Sequence, residues 1–229
     1  MKLGGFMKMT LLDFPGRVAC TVFTLGCNWR CPFCHNAGLA TGHGDAIDEE
    51  ELFAFLKKRQ GILDGVAITG GEPTLWQDLG TFIEKIRALG YAVKLDTNGT
   101  NPEMLRRLCQ DGLLDMVAMD IKNAPQRYAK TCGVQDCSFE KIRQSAEFLM
   151  EGKVPFEFRT TVVRGLHSAE DFADIAAWLP GEEKYFLQAF KDSGDVISGG
   201  CGAFEREEME VFRRILLPVI PNAKIRGMD

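Results

Sequence analysis

Three cysteines crowd into one short segment, Cys27-Asn28-Trp29-Arg30-Cys31-Pro32-Phe33-Cys34, while the other five of the chain's eight are scattered. Thiolates at a Cys-x3-Cys-x2-Cys spacing can wrap a compact inorganic centre, and soft sulfur ligands select zinc or iron–sulfur. A structural zinc site wants four ligands, and His35 is the only immediate fourth. An iron–sulfur cube on three cysteines leaves one iron open to a substrate or cofactor. In a reducing compartment such clustering points to metal or redox chemistry before disulfides.

Further residues able to do chemistry recur at regular points downstream. Gly70-Gly71-Glu72-Pro73 places two residues without side chains, which let the backbone approach a ligand, beside a carboxylate that can accept from an ammonium group. Asp96-Thr97-Asn98-Gly99 and Asp120-Ile121-Lys122 follow. Their aspartates are acceptors for an ammonium or a cation, and Lys122 can pair with a carboxylate. Arg159 reaches a carboxylate or forms a core ion pair, and Gln188 comes last. Trp29 and Trp76 are expected to shield the site.

The elements that must position these groups alternate. Strands are predicted over 18–24, 66–69, 92–96, 116–121, 156–163 and 185–190, with a short one at 223–226. Helices are predicted over 48–59, 77–89, 102–110, 138–150, 168–179 and 205–217, with Pro102 in a first turn and Ser168 as an N-cap. Repeated βαβ units imply a parallel sheet in an α/β fold. An incomplete β/α barrel and an open doubly wound sheet both put chemistry at the C-terminal ends of strands. Cys27, Glu72, Asp96, Asp120 and Gln188 all fall at or just past such ends. Their convergence favours a barrel mouth within one domain, 1–229. The cysteine loop spans about 25–47, and a C-terminal segment of about 191–229 flanks the mouth.

Composition narrows the partners. The 229 residues are 45% hydrophobic and 26% charged, with a net charge of −5. No basic stripe marks a nucleic-acid binder. No apolar run approaches the roughly 18 residues of a membrane span, and Lys8 and Asp13 interrupt any signal-peptide core. A cytoplasmic location is expected. Cys20 and Cys109 read as core, and Cys132, Cys137 and Cys201 as ordinary thiols separated from the rim by helices. His43 and His167 read as turn or surface residues.

The cysteine segment, with Phe33 before its last cysteine, resembles the signature of radical S-adenosylmethionine (SAM) enzymes, and Gly70-Gly71-Glu72-Pro73 resembles their second hallmark. The resemblance implies a six-stranded partial β/α barrel, (β/α)6, with a [4Fe–4S] cluster on Cys27, Cys31 and Cys34 and SAM on the open iron. It places Phe33, Gly70, Gly71 and Glu72 around SAM. Asp96, Thr97, Asn98, Asp120 and Lys122 resemble positions lining the SAM site of glycyl-radical-enzyme activating enzymes, with a monovalent cation near Asp96 and Asp120.

Nearly the whole chain is similar to the anaerobic ribonucleoside-triphosphate reductase activating proteins. Leu12-Asp13-Phe14-Pro15-Gly16, Cys34-His35-Asn36, the run from Phe158 to Val163, and Ile225-Arg226-Gly227 carry the likeness. It departs at Arg164, where that group often has Pro, and at Gln188 and Phe190, near which related activases carry a SAM-contacting His. The implied function is reductive cleavage of SAM to methionine and a 5′-deoxyadenosyl radical, with flavodoxin or ferredoxin as electron donor. The radical then takes hydrogen from a glycine of a partner, an anaerobic ribonucleotide reductase. Two other readings stand beside it: a radical SAM enzyme acting on a small molecule, such as a pterin-derived nucleobase precursor, and a zinc-binding interaction module without turnover.

Overall fold

Apolar patterns of period 2 and period 3.6 alternate along the chain, and the computed structural model of the protein follows them. It describes residues 1–42, 44–179, 181, 184–192, 194 and 196–228; His43 lies outside the described residues. The first half runs β1 (Leu3–Thr10), β2 (Ala19–Thr24), α1 (Ala37–Thr41), α2 (Glu49–Lys58), β3 (Gly65–Gly70), α3 (Leu79–Ala88), β4 (Ala92–Thr97), α4 (Pro102–Gln110) and β5 (Met116–Asp120). The second half adds α5 (Tyr128–Thr131), α6 (Phe139–Met150), β6 (Phe156–Val162), α7 (Ala169–Trp178), β7 (Tyr185–Ala189), α8 (Arg206–Leu216) and β8 (Lys224–Arg226).

Local chemistry explains the boundaries. Leu79, Phe82, Ile83 and Ile86 are the buried face of α3 at helical spacing. Pro102 opens α4, where the Asn101 side chain accepts from the Met104 N–H. Ser168 and Asp171 close a capping box on α7, as Glu205 and Glu208 do on α8.

All eight strands join one sheet in the order β1 to β8, with β1 antiparallel to β2 and every later pair parallel. A doubly wound sheet would reverse its order at a switch point. This order never reverses, which is the barrel arrangement. No ladder joins β1 to β8 among the described residues, so the barrel is incomplete.

The six expected parallel strands are β2 to β7, and the short C-terminal strand is β8. Two points differ from expectation. β1 was not foreseen, because Gly4, Gly5 and Lys8 dilute its β-propensity; it is held by pairing with β2. The C-terminal segment does not simply flank the mouth. It supplies α8, packed against α7, and β8, paired with β7. Its earlier part meets the cysteine loop, where the Ser198 N–H donates to the Pro32 carbonyl at 3.0 Å.

At the end of β3 the chain passes unusually close to the end of β2. The Gly71 and Glu72 N–H groups donate to the Thr24 and Gly26 carbonyls, both at 2.9 Å. A Cβ on Gly71 would collide with the Gly26 carbonyl, and one on Gly70, at φ +112°, with the Thr24 backbone. Both clashes are with backbone, which cannot rotate aside. Gly71→Ala is therefore expected to destabilise the protein by more than about 2 kcal/mol in urea unfolding. Gly38→Ala, with nothing within 4 Å, serves as the near-neutral control.

Candidate active site

The cysteine loop leaves β2 and is clamped from two sides. At its start the Gly26 and Cys27 N–H groups donate to the Leu39 and Ala40 carbonyls of α1, at 2.8 and 3.1 Å. In its middle the Arg30 N–H donates to the Cys132 carbonyl at 2.9 Å, and Gly133 packs where any side chain would strike the Arg30 carbonyl. A tight turn then brings the Cys34 N–H onto the Cys31 carbonyl at 3.0 Å.

Cys27, Cys31 and Cys34 all line one cavity of about 510 Å³, within the roughly 300–1,000 Å³ of ligand pockets. Burial pushes the Cys27 thiol up to about 12 and raises Cys34. Cys31 shifts the other way, because its sulfur takes a hydrogen bond from the Cys132 thiol. The Trp29 N–H donates to Cys27 Sγ at 3.4 Å.

Sequence leaves zinc and iron–sulfur open for this donor set. Four zinc ligands would converge on one point at roughly 2.0–2.3 Å. Among the described residues no three His, Cys, Asp or Glu side chains converge in that way. His35 lies against the Phe190 ring instead, at 5.3 Å. Three separate thiols around a shared cavity fit ligands to different irons of a cluster.

Glu72 is 1% exposed and fully engaged. Its Oε1 accepts from the Thr74 N–H at 3.0 Å, Thr74 Oγ1 at 2.6 Å and Thr97 Oγ1 at 2.8 Å, and its Oε2 from the Asn98 N–H at 2.6 Å. Burial nevertheless raises its pKa, because desolvation outweighs these donors. The carboxylate thus ties the turn after β3 to the end of β4. Asn98 continues the tie, donating through Nδ2 to Asn28 of the cysteine loop at 2.9 Å.

The floor of the cavity is charged. Arg159 on β6 donates to Asp96 Oδ2 at 3.1 Å and to Asp120 Oδ1 at 3.0 Å. Lys94, itself buried, holds Asp96 Oδ1, and Lys122 holds Asp120 Oδ2 at 3.0 Å. Burial works against the Asp120 carboxylate, but Arg159 and Lys122 together bring it down to about 2. Lys122 also lies 5.8 Å from the centre of the Phe33 ring, a cation–π distance. Its backbone carbonyl is met by His167 Nε2 at 2.8 Å.

All the site residues expected from sequence meet here: Cys27, Cys31, Phe33, Cys34, Gly70, Gly71, Glu72, Asp96, Thr97, Asn98, Asp120 and Lys122 line the one cavity. Arg159 and Gln188 join them. Arg159 is the ion-pair member of its two readings. Trp29 is buried against the site, whereas Trp76 binds the Leu25 carbonyl outside it.

Two readings change, and two residues enter the site that sequence did not single out for it. Cys132 is not screened from the rim by a helix but sits fully buried on Cys31. His167 is 5% exposed and supports the Lys122 backbone, so it is no surface residue. Lys94 was missed, although a lysine two residues before Asp96 in a strand must share its face. Asp13, which accepts from Thr21 Oγ1 at 2.5 Å, also lines the cavity.

Residues 21–179 match the family model of the radical SAM superfamily. The chain belongs to that superfamily. A protein of Methanocaldococcus jannaschii, named as a candidate glycyl-radical enzyme activating enzyme, is 30% identical over 99% of this chain and 96% of its own length. A protein of Thermococcus kodakarensis, named as a candidate GTP 3′,8-cyclase, is 29% identical over 67% of this chain, which spans about half of that relative (51%). Among solved structures, a radical SAM methyltransferase of Sphaerobacter thermophilus superposes with a TM-score of 0.72 at 18% identity, covering 94% of this chain and 69% of its own. That likeness confirms the partial barrel. The protein is therefore a radical SAM enzyme, and the family's [4Fe–4S] cluster and SAM fit the thiols and cavity just described.

Two outcomes follow from the geometry. Glu72→Ala leaves four buried donors without an acceptor, so a loss of about 3 kcal/mol is expected by urea unfolding. Unchanged stability would show that Glu72 does not tie the rim together. Asp120 has a folded pKa of about 2, below its unfolded value of about 3.9. Its contribution is fully present above about pH 4 and is lost as pH falls through about 2, on the order of 2 kcal/mol. Asp120→Asn in cluster-free protein should flatten that acid limb of the stability profile.

Proposed function

We propose that the enzyme generates a glycyl radical on a partner protein, an anaerobic ribonucleotide reductase, after one-electron reduction by flavodoxin or ferredoxin in the cytoplasm. The observation that carries glycyl-radical activation is the match to a candidate activating enzyme over nearly both full lengths; the choice of reductase as partner and of flavodoxin or ferredoxin as donor rests on the resemblance of the sequence. The match to the candidate cyclase stops at about half of that relative, so the small-molecule reading has less behind it. The zinc-module reading lacks converging ligands among the described residues.

In this reading Cys27, Cys31 and Cys34 hold the [4Fe–4S] cluster. Bound there, cluster and SAM would supply the electron transfer that splits the sulfonium C–S bond and yields the hydrogen-abstracting radical. The chain's own residues do the rest. Lys122, on the cavity wall against Phe33, would pair with the SAM carboxylate. Arg159 keeps Asp96 and Asp120 in place beneath it. Glu72, Thr97 and Asn98 hold the rim at a fixed height. Buried Trp29 and Phe33 exclude water from the reacting centre.

No helix among the described residues is long and apolar enough to cross a membrane, in keeping with a partner met in solution. Anaerobic reconstitution should give a brown protein. Cys27→Ala, Cys31→Ala or Cys34→Ala should abolish its four-iron spectrum, while Cys137→Ala and Cys201→Ala retain iron and sulfide. Reduced enzyme with SAM and the reductase should then show an electron paramagnetic resonance doublet that collapses when the partner contains Cα-deuterated glycine. Rapid turnover of a free metabolite with no protein radical would replace this reading with the small-molecule one.

A further inference from the structure

The resemblance to activating enzymes implies an exchangeable monovalent cation near Asp96 and Asp120, but the structure leaves it no ligands there. Each of the four carboxylate oxygens already faces a cationic donor. Asp96 Oδ1 has Lys94 Nζ and Asp96 Oδ2 has Arg159 Nη1; Asp120 Oδ1 has Arg159 Nε and Asp120 Oδ2 has Lys122 Nζ. Three cations surround these two carboxylates before any ion arrives. Lys94 is the unusual member. It is 1% exposed, and on β4 it shares the inward face with Asp96, so its ammonium lies inside the barrel beneath that carboxylate. A buried ammonium is tolerated only when it is paired. Asp96 is the acidic side chain found in contact with it among the described residues.

We propose that Lys94 is an internal replacement for the exchangeable cation. Its ammonium neutralises Asp96 from below and frees Arg159 to bridge to Asp120. Lys122 is thereby left as the cation presented to a ligand carboxylate. Lys94 acts through its neighbours and is a positioning residue. Ligand binding in the cavity is then indifferent to sodium and potassium.

The binding arm of the test rests on the cavity being the SAM site; the stability arm does not. SAM affinity of the reconstituted enzyme is measured anaerobically in sodium, potassium and choline chloride at equal ionic strength. Wild-type dissociation constants should agree within about twofold. Lys94→Met keeps much of the apolar stem but loses the charge. It should bind SAM at least about tenfold more weakly in choline and recover in sodium or potassium. The unfolding midpoint of cluster-free Lys94→Met should likewise rise by several degrees when sodium or potassium replaces choline, with no such change in the wild type. A tenfold dependence of wild-type SAM affinity on cation identity overturns the proposal, and so does a Lys94→Met variant blind to cations in both measurements. If Lys94→Met does not fold, the wild-type comparison decides alone. If SAM binds in no salt, the reading of the cavity fails, while a wild-type midpoint raised by sodium or potassium still overturns the role of Lys94.

Discussion

Arg159 holds the inside of this barrel together. It stands opposite Asp120 in the β5–β6 register and reaches past it to Asp96 on β4, so one guanidinium ties three neighbouring strands. A β/α barrel ordinarily fills its interior with branched apolar side chains. Here the apolar packing lies largely between sheet and helices, where Leu52, Leu56, Phe82 and Ile83 are buried. The interior beneath the cavity is charged instead. Buried ions persist only when every partner is present, so the cavity floor is held in a single arrangement.

The rim is built on a second buried anion. Four donors, two from Thr74 in the turn after β3 and two from Thr97 and Asn98 at the end of β4, meet the Glu72 carboxylate. The side chain therefore fixes the height of the turn after β3 relative to the end of β4. The paired glycines before it serve the same end, since they let β3 finish against the backbone leaving β2. From sequence these residues read as a surface for the ligand; in the fold their first task is to bring three strand ends to a common level.

Support for the cysteine loop comes from far along the chain. Cys132 and Gly133 press on Arg30 and Cys31, and the Ser198 N–H caps the Pro32 carbonyl. His167 and Tyr128 hold the backbone carbonyls of Lys122 and Asp120. A docking partner would thus meet a loop whose shape depends on contacts made by α5 and by the segment after β7.

Much of this was legible in one dimension. The Cys-x3-Cys-x2-Cys spacing narrowed the chemistry to zinc or iron–sulfur, because soft thiolates so close in sequence can share a small inorganic centre. Alternating strands and helices announced a parallel sheet, and their limits were legible to within two residues, because period-2 and period-3.6 burial differ so plainly. The placing of acids and glycines just past strand ends foretold the mouth. Three-dimensional packing settled what those groups do there. Glu72, Asp96 and Asp120 read as free acceptors, yet each is already engaged by protein donors. Whether a carboxylate is free depends on neighbours 25 to 63 residues away, such as Thr97 for Glu72 and Arg159 for Asp96. The same holds for β1, Cys132, His167 and Lys94. Their local sequence is unremarked, and their role comes from long-range contact, because burial and pairing belong to the folded chain and local propensity carries no record of them.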